Sequence, residues 1–227
     1  MPAAASGSAR RTPVQRRSRE RVERILMAAE QIVVRDGLDA LSTRSLAERA
    51  QVPVGSVYTY FADREAIIEA LIERHVTAMD ERVLADVGQL DRFSVRTLVE
   101  SVVASYRAGY AQRPSFPALW FRGRVSPEIV SSVRRRNFDL AASFFAFCGA
   151  AGLVGRDTPV AVFEFAAEMI DRFLALAYED DLTGDDAVVA QGIEMIVRYL
   201  EAYATERGIA GVPADELTAR LSLTDAV

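Results

Sequence analysis

Between Ser42 and Asp63 the chain carries two short helical patterns with only Gln51 and Val52 between them, and this punctuation restricts the fold more than any other feature. Ser42 or Thr43 can accept a hydrogen bond from the first free amides of a helix over Thr43–Ala50, in which Leu46 and Ala47 face inward. Pro53 suits a first helical turn, where the donor it lacks has no partner in any case, and it opens a helix running to about Tyr60. Upstream, Val22, Ile25, Leu26, Ala29, Ile32 and Val33 recur at helical spacing from Arg19, with Gly37 as a C-terminal cap. Downstream, Asp63 caps a long amphipathic helix striped by Ile67, Leu71, Met79 and Val83, which continues to about Val87. Two short helices joined by a tight turn, with a helix before them, form the geometry that lays the second of the pair in a DNA major groove.

Charge is distributed in keeping with that geometry. All 27 basic residues are arginine; residues 1–64 hold 11 of them against 7 carboxylates, net +4, and the remainder is net −9. A basic head on an acidic body suggests that the head meets a polyanion. Residues 1–18 have almost no large apolar side chain and read as a flexible basic arm that either reaches DNA or stays mobile. The longest uncharged run, residues 140–155, has sixteen residues including five alanines and three glycines. That is short of the roughly 18 apolar residues of a spanning helix, so it reads as a buried helix and no membrane partner is expected. A lone Cys148 and no apolar run behind the N-terminal arginines point away from secretion and towards the cytoplasm.

The third helix has the side chains to read a duplex. Val57 and Phe61 are four apart and reach the core, which leaves Val54, Gly55, Ser56, Tyr58, Thr59 and Tyr60 on the N-terminal and outer faces. Small residues there allow close approach to base edges, Ser hydrogen-bonding and Val touching a thymine methyl. The hydroxyls one turn later suit phosphate oxygens.

The run from Ser42 to Ala50, followed by Val52 to Ala66, resembles the DNA-binding domain of the TetR/AcrR family of transcriptional regulators. The likeness is closest in Gly55-Ser56-Val57-Tyr58-Thr59-Tyr60-Phe61 and in Asp63-Arg64-Glu65, and it covers about residues 19–75. It implies base contacts from Arg44, Val54, Gly55 and Ser56, and phosphate contacts from Thr43, Tyr58, Thr59, Tyr60 and Arg64. One position departs from the family: Gln51 stands in the turn where Gly is usual, at a site that tends to positive φ and costs a non-glycine residue about 1 kcal/mol.

Beyond the head nothing alternates with period two for long enough to demand a sheet. Helices are expected over 95–113, 116–123, 127–152, 159–180 and 185–208, separated by Pro, Gly and Asp-rich breaks. The expected fold class is all-α, with about nine helices: an N-terminal three-helix helix-turn-helix DNA-binding domain and a C-terminal helical ligand-binding and dimerisation domain. The expected divisions are an arm at 1–18, the DNA-binding domain at 19–65, the effector and dimerisation domain at 66–208, and a tail at 209–227.

A single head reads half a site, so a homodimer on a palindromic operator in double-stranded DNA is expected. Phe163, Ala167, Ile170 and Leu174 form one stripe, and Val189, Gly192, Ile196, Tyr199 and Tyr203 another; the resemblance implies that these last two long helices dimerise. Part of each stripe is also expected to face its own core. The aromatic-rich middle can enclose an apolar pocket. The resemblance places a small-molecule effector there, and Tyr106, Tyr110, Trp120, Phe144 and Phe173 are its expected contacts.

Other chemistry is poorly supported. One His, one Cys, no Lys and no Gly-rich phosphate loop leave few nucleophile and base pairings, so no enzyme, cofactor or metal is expected. His75 has no ligand-spaced companion, Cys148 reads as a small buried hydrophobe, and Arg134, Arg135 and Arg136 read as a solvated or salt-bridged surface. The expected activity is repression relieved by a small, largely apolar effector; the alternative is a helical ligand-binding or adaptor dimer without specific DNA binding.

Overall fold

The computed structural model describes residues 13–123 and 125–217; the arm over 1–12 and the end of the tail, 218–227, lie outside the described residues. The chain forms two compact units, divided between Leu71 and Ile72. The fold class is all-α, with ten α-helices and one 3-10 turn among the described residues.

The first unit contains α1 (Pro13–Asp36), a 3-10 turn (Leu38–Ala40), α2 (Thr43–Ala50), α3 (Val54–Tyr60) and the first turns of α4 (Arg64–Val87). α1 begins at Pro13 rather than Arg19, so residues 13–18 belong to the helix: they contain no glycine, and a proline at the first position favours a helix start. Ser42 caps α2 in a reciprocal capping box, its Oγ accepting from Ser45 N at 3.1 Å while Ser45 Oγ accepts from Ser42 N at 3.0 Å. Pro53 sits just ahead of α3 as its N-cap. Asp63 caps α4, accepting from Ala66 N at 2.8 Å. Ile25, Ala29, Ile32, Leu41, Leu46, Val57, Ile67 and Leu71 are all buried to 2 % exposure or less and form the core of this unit. Gln51 ends α2 with φ 54° and ψ 48°, the left-handed conformation expected where the family places glycine.

The second unit holds the rest of α4, then α5 (Val95–Gln112), α6 (Ser115–Trp120), α7 (Pro127–Ala151), α8 (Ala161–Ala177), α9 (Asp186–Glu201) and α10 (Glu206–Ala210). Two short strands were not anticipated: β1 (Arg92–Phe93) pairs antiparallel with β2 (Val212–Pro213). The expected tail from residue 209 is therefore in part a structural element. Arg92 Nη1 also donates to the carbonyls of Gly211 and Ala210, the latter at 3.1 Å.

The single helix expected over 185–208 is two helices. Thr205 N donates outside the helix, to Leu153 O at 2.9 Å, Gly155 N donates to Tyr203 O at 2.9 Å, and Thr205 Oγ1 then caps α10 by accepting from Gly208 N at 3.1 Å. Gly208 lies so close to Leu153 O that a Cβ there would be 1.9 Å from it. Arg134 and Arg136 of the basic triplet are paired: Arg134 grips Glu168 through two hydrogen bonds at 2.8 and 2.7 Å, and Arg136 bonds Asp80 and Glu73, while Arg135 is exposed.

Candidate nucleic-acid interface and effector cavity

In the first unit, burial sorts the residues of α3 by face. Val57 and Phe61 are buried, while Val54, Gly55 and Thr59 are exposed and Ser56 and Tyr60 are half-buried. Tyr58 is 54 % exposed, a large ring held at the surface of a helix with no packing reason to be there. A Cβ built on Gly55 would meet nothing within 4 Å, and its φ is not positive, so neither packing nor backbone geometry calls for glycine. What the missing side chain leaves open is approach from outside the head.

The turn brings α2 and α3 together at their polar ends. The Thr43 and Tyr58 hydroxyls are hydrogen-bonded at 3.2 Å, and exposed Arg44 follows Thr43. Thr59 Oγ1 donates to Gly55 O at 2.9 Å, which leaves its oxygen as an acceptor and removes it as a donor to phosphate. Arg64 departs further from its expected role. Its Nε donates to Leu41 O at 3.0 Å and its Nη2 to Leu38 O at 2.9 Å, while Nη1 faces Glu65 at 3.4 Å. The guanidinium braces the turn ahead of α2 against the start of α4, because the two carbonyls there present acceptors matched to its fork.

In the second unit a cavity of about 110 Å³ is walled mainly by α4, α5, α6, α7 and α8. Of the five aromatics expected there, Tyr106, Tyr110, Trp120 and Phe144 line it, and Phe173 does not. The Phe173 ring instead covers Gly192, so closely that a Cβ on Gly192 would fall 2.3 Å from it. The wall is mostly Val, Leu, Met, Ala and aromatic surface; its charged members are Asp80 and Asp171. Trp120 Nε1 donates to Asp171 Oδ1 at 3.0 Å, and burial raises the Asp171 carboxyl above the usual carboxylate range. Burial also raises the Tyr106 phenol, with the charges of Asp80 and Asp171 adding to the effect. Cys148 reaches the same wall, its thiol pushed up to about 12 by burial, which fits an inert hydrophobe.

The expected dimer stripe needs correction. Phe163, Ala167, Ile170 and Leu174 line the cavity, and Val189, Gly192 and Ile196 are buried within the unit, so these seven face its interior. The physical reason is that α8 and α9 are apolar on two faces, and the inner one fills the core. Their outer face carries Phe165 at 54 %, Leu176 at 47 % and Met195 at 48 % exposure, joined by Tyr199 and Tyr203. Phe165 and Tyr199 rings lie 5.6 Å apart, and Tyr199 and Tyr203 5.7 Å apart. Of the nine residues expected, Tyr199 and Tyr203 belong to this exposed patch. Phe165, Leu176 and Met195 of the patch were not among the residues expected; their spacing on the opposite face of the same helices was the available signal.

Residues 25–71 match the family model described as bacterial regulatory proteins, tetR family. That segment, the head of the chain, is the TetR-family DNA-binding domain. Over 61 residues it is 36 % identical to the HTH-type transcriptional repressor NemR of Escherichia coli K12, a match spanning 27 % of this chain and 31 % of NemR. The chain thus aligns with about a third of that curated relative's length. A TetR-family transcriptional regulator from Streptomyces coelicolor superposes with a TM-score of 0.64 at 28 % identity, covering 81 % of this chain and 99 % of the other. The transcriptional regulator FadR of Bacillus subtilis, solved in complex with stearoyl-CoA, shares the fold at a TM-score of 0.64 and 16 % identity, over 77 % of this chain and 97 % of FadR. The head therefore carries the family's motif, and the helical body follows the family's architecture with little sequence in common. No helix among the described residues is long and apolar enough to cross a membrane.

Proposed function

We propose that this protein is a dimeric, cytoplasmic DNA-binding transcriptional repressor that leaves a palindromic operator when a small, largely apolar effector enters its body. The observation that carries the reading is the outer face of α2 and α3. Arg44, Val54, Gly55 and Ser56 read base edges, and the hydrogen-bonded Thr43 and Tyr58, with Tyr60, meet phosphates. Arg64 acts through the head, holding Leu38 and Leu41 in place so that α2 presents Arg44. Pairing of two chains through Phe165, Leu176, Met195, Tyr199 and Tyr203 supplies the second recognition helix.

The cavity supports the sensing half of the reading, as does the stearoyl-CoA bound by FadR, a protein of the same fold. The effector works by preferring the state in which the heads do not fit their half-sites, through α4, which runs without a break from Arg64 to Val87. A hundredfold loss of operator affinity needs a differential affinity of about 2.7 kcal/mol. Gel-shift titration of the full chain on promoter fragments from its own locus, repeated across salt concentrations, tests the proposal. Specific binding that weakens steeply with salt is expected; a shift no stronger on these fragments than on random duplex overturns it in favour of an adaptor.

A further inference from the structure

The cavity has a chemical bias that its apolar wall hides. Asp171 lies on α8 at the wall, where its one hydrogen bond among the described residues is the Trp120 indole on Oδ1. Oδ2 has no such partner. Asp80, the other carboxylate of the wall, is already held by Arg136. Among the described residues no Arg lines the cavity. The cations whose charge acts on Asp171 are Arg134 and Arg172: the first is gripped by Glu168 through two hydrogen bonds, and the second is exposed. Asp171 is half-buried, and a carboxylate partly withdrawn from water with one donor on it is stabilised when a cation or further donors arrive.

We infer that the effector is a compact apolar molecule bearing a protonated amine, which seats on Asp171 Oδ2 while its hydrocarbon part packs among Tyr106, Tyr110, Phe144 and Trp120. This rests on the reading of the cavity as the effector site and adds the chemical class. Size limits the hydrocarbon part, since a dry cavity of about 150 Å³ takes up benzene and this one is about 110 Å³. Charge limits the head group: an acyl carboxylate or a phosphate-bearing thioester would enter against two carboxylates with no cation on the wall among the described residues. The rings add to the preference, because their faces attract a cation. The raised carboxyl of Asp171 is the cost that an incoming ammonium relieves.

The test uses the full chain and three probes of one shape whose hydrocarbon part is smaller than benzene, isobutylamine, isobutanol and isobutyrate, at pH 7, by calorimetry and by thermal shift without DNA. The amine is expected to bind at least tenfold tighter than the alcohol, with the acid weakest; Asp171→Asn brings the amine down to the level of the alcohol and leaves the alcohol unchanged. Acid binding as tight as amine, an unchanged ratio in Asp171→Asn, or no binding of any probe at millimolar concentration overturns the inference. If Asp171→Asn does not fold, the order of the three probes on the unaltered chain decides. A chain that shifts its operator but ignores the amine refutes this inference alone; one that binds the amine but no DNA refutes the regulator instead.

Discussion

The Tyr58 hydroxyl lies 3.2 Å from Thr43 Oγ1, a hydrogen bond that joins the outer face of α3 to the first residue of α2. It holds a ring that is otherwise half in water, and it aims two hydroxyls at one place. Tyr58→Phe removes one such bond and one phosphate partner, and is expected to weaken binding about tenfold on operator and random duplex alike. Ser56→Ala and Arg44→Ala are expected to change the order of preference among operator variants, by about 1–3 kcal/mol at the base each contacts. Competition gel shifts against a randomised half-site library separate the two behaviours. Uniform losses from all three variants would remove the division between base reading and phosphate anchoring.

Gly55 makes stability and binding move in opposite directions. The site has room for a methyl group and sits inside a helix, where Ala is favoured over Gly by up to about 1 kcal/mol. Gly55→Ala is therefore expected to raise the urea midpoint while weakening operator binding, since the methyl group occupies the space through which base edges approach. A variant that is more stable and binds equally well would show that α3 does not meet DNA by this face.

The head was legible in the sequence because its signals are local. Ser42, Asp63 and the Gln51 turn announce themselves through caps and backbone preference, and α2 runs over the residues expected, Thr43–Ala50. The body was less so, for reasons visible in particular residues. On α8 both the stripe containing Phe163 and Ile170 and the one containing Phe165 and Leu176 are apolar, and periodicity cannot tell which faces in. Phe173 was expected at a pocket, yet the absence of a side chain at Gly192 draws its ring there, a relationship across helices that no local pattern records. The pairing of Phe93 with Val212 joins residues far apart in sequence through strands too short to alternate. Arg64 was given to DNA because its type fits phosphate; the carbonyls of Leu38 and Leu41 that occupy it become visible only once the chain is folded.

Gln51 stores strain that can be released. With φ 54° it is the one non-glycine residue with positive φ among the described residues, and its side chain is exposed, so little packing is lost on truncation. Gln51→Gly removes a left-handed penalty of about 1 kcal/mol, offset in part by the greater freedom of glycine in the unfolded chain. A net gain of about 0.5 kcal/mol in denaturant unfolding is expected; a loss would mean that the Gln51 side chain has a role in the turn beyond its backbone.

Phe165 lies at one end of the aromatic row that continues through Tyr199 to Tyr203, and its ring is the most exposed of the three. Phe165→Glu places a charge in that patch without disturbing the inner stripe. Light scattering is expected to show a shift from dimer to monomer at micromolar concentration, with circular dichroism unchanged and operator binding lost. Should the variant remain dimeric, the outer face of α8 and α9 is not where two copies meet.

His75 predicts how stability responds to acid. It is 2 % exposed, its Nε2 is 3.2 Å from Ser115 Oγ, its ring is 5.3 Å from that of Phe116, and burial, then the charges of Arg113 and Arg74, lower its pKa from 6.5 to about 4. A folded pKa below the unfolded one means that the unfolded chain binds more protons between these two values. The stability contributed by a neutral His75 is therefore complete above about pH 6.5 and is lost as pH falls towards 4, by about 3 kcal/mol at most. His75→Gln keeps a polar partner for Ser115 and cannot titrate in this range. The difference in unfolding free energy between the original chain and the variant is expected to shrink or reverse on going from pH 7 to pH 4.5; two parallel curves would show that His75 is not held neutral by its burial.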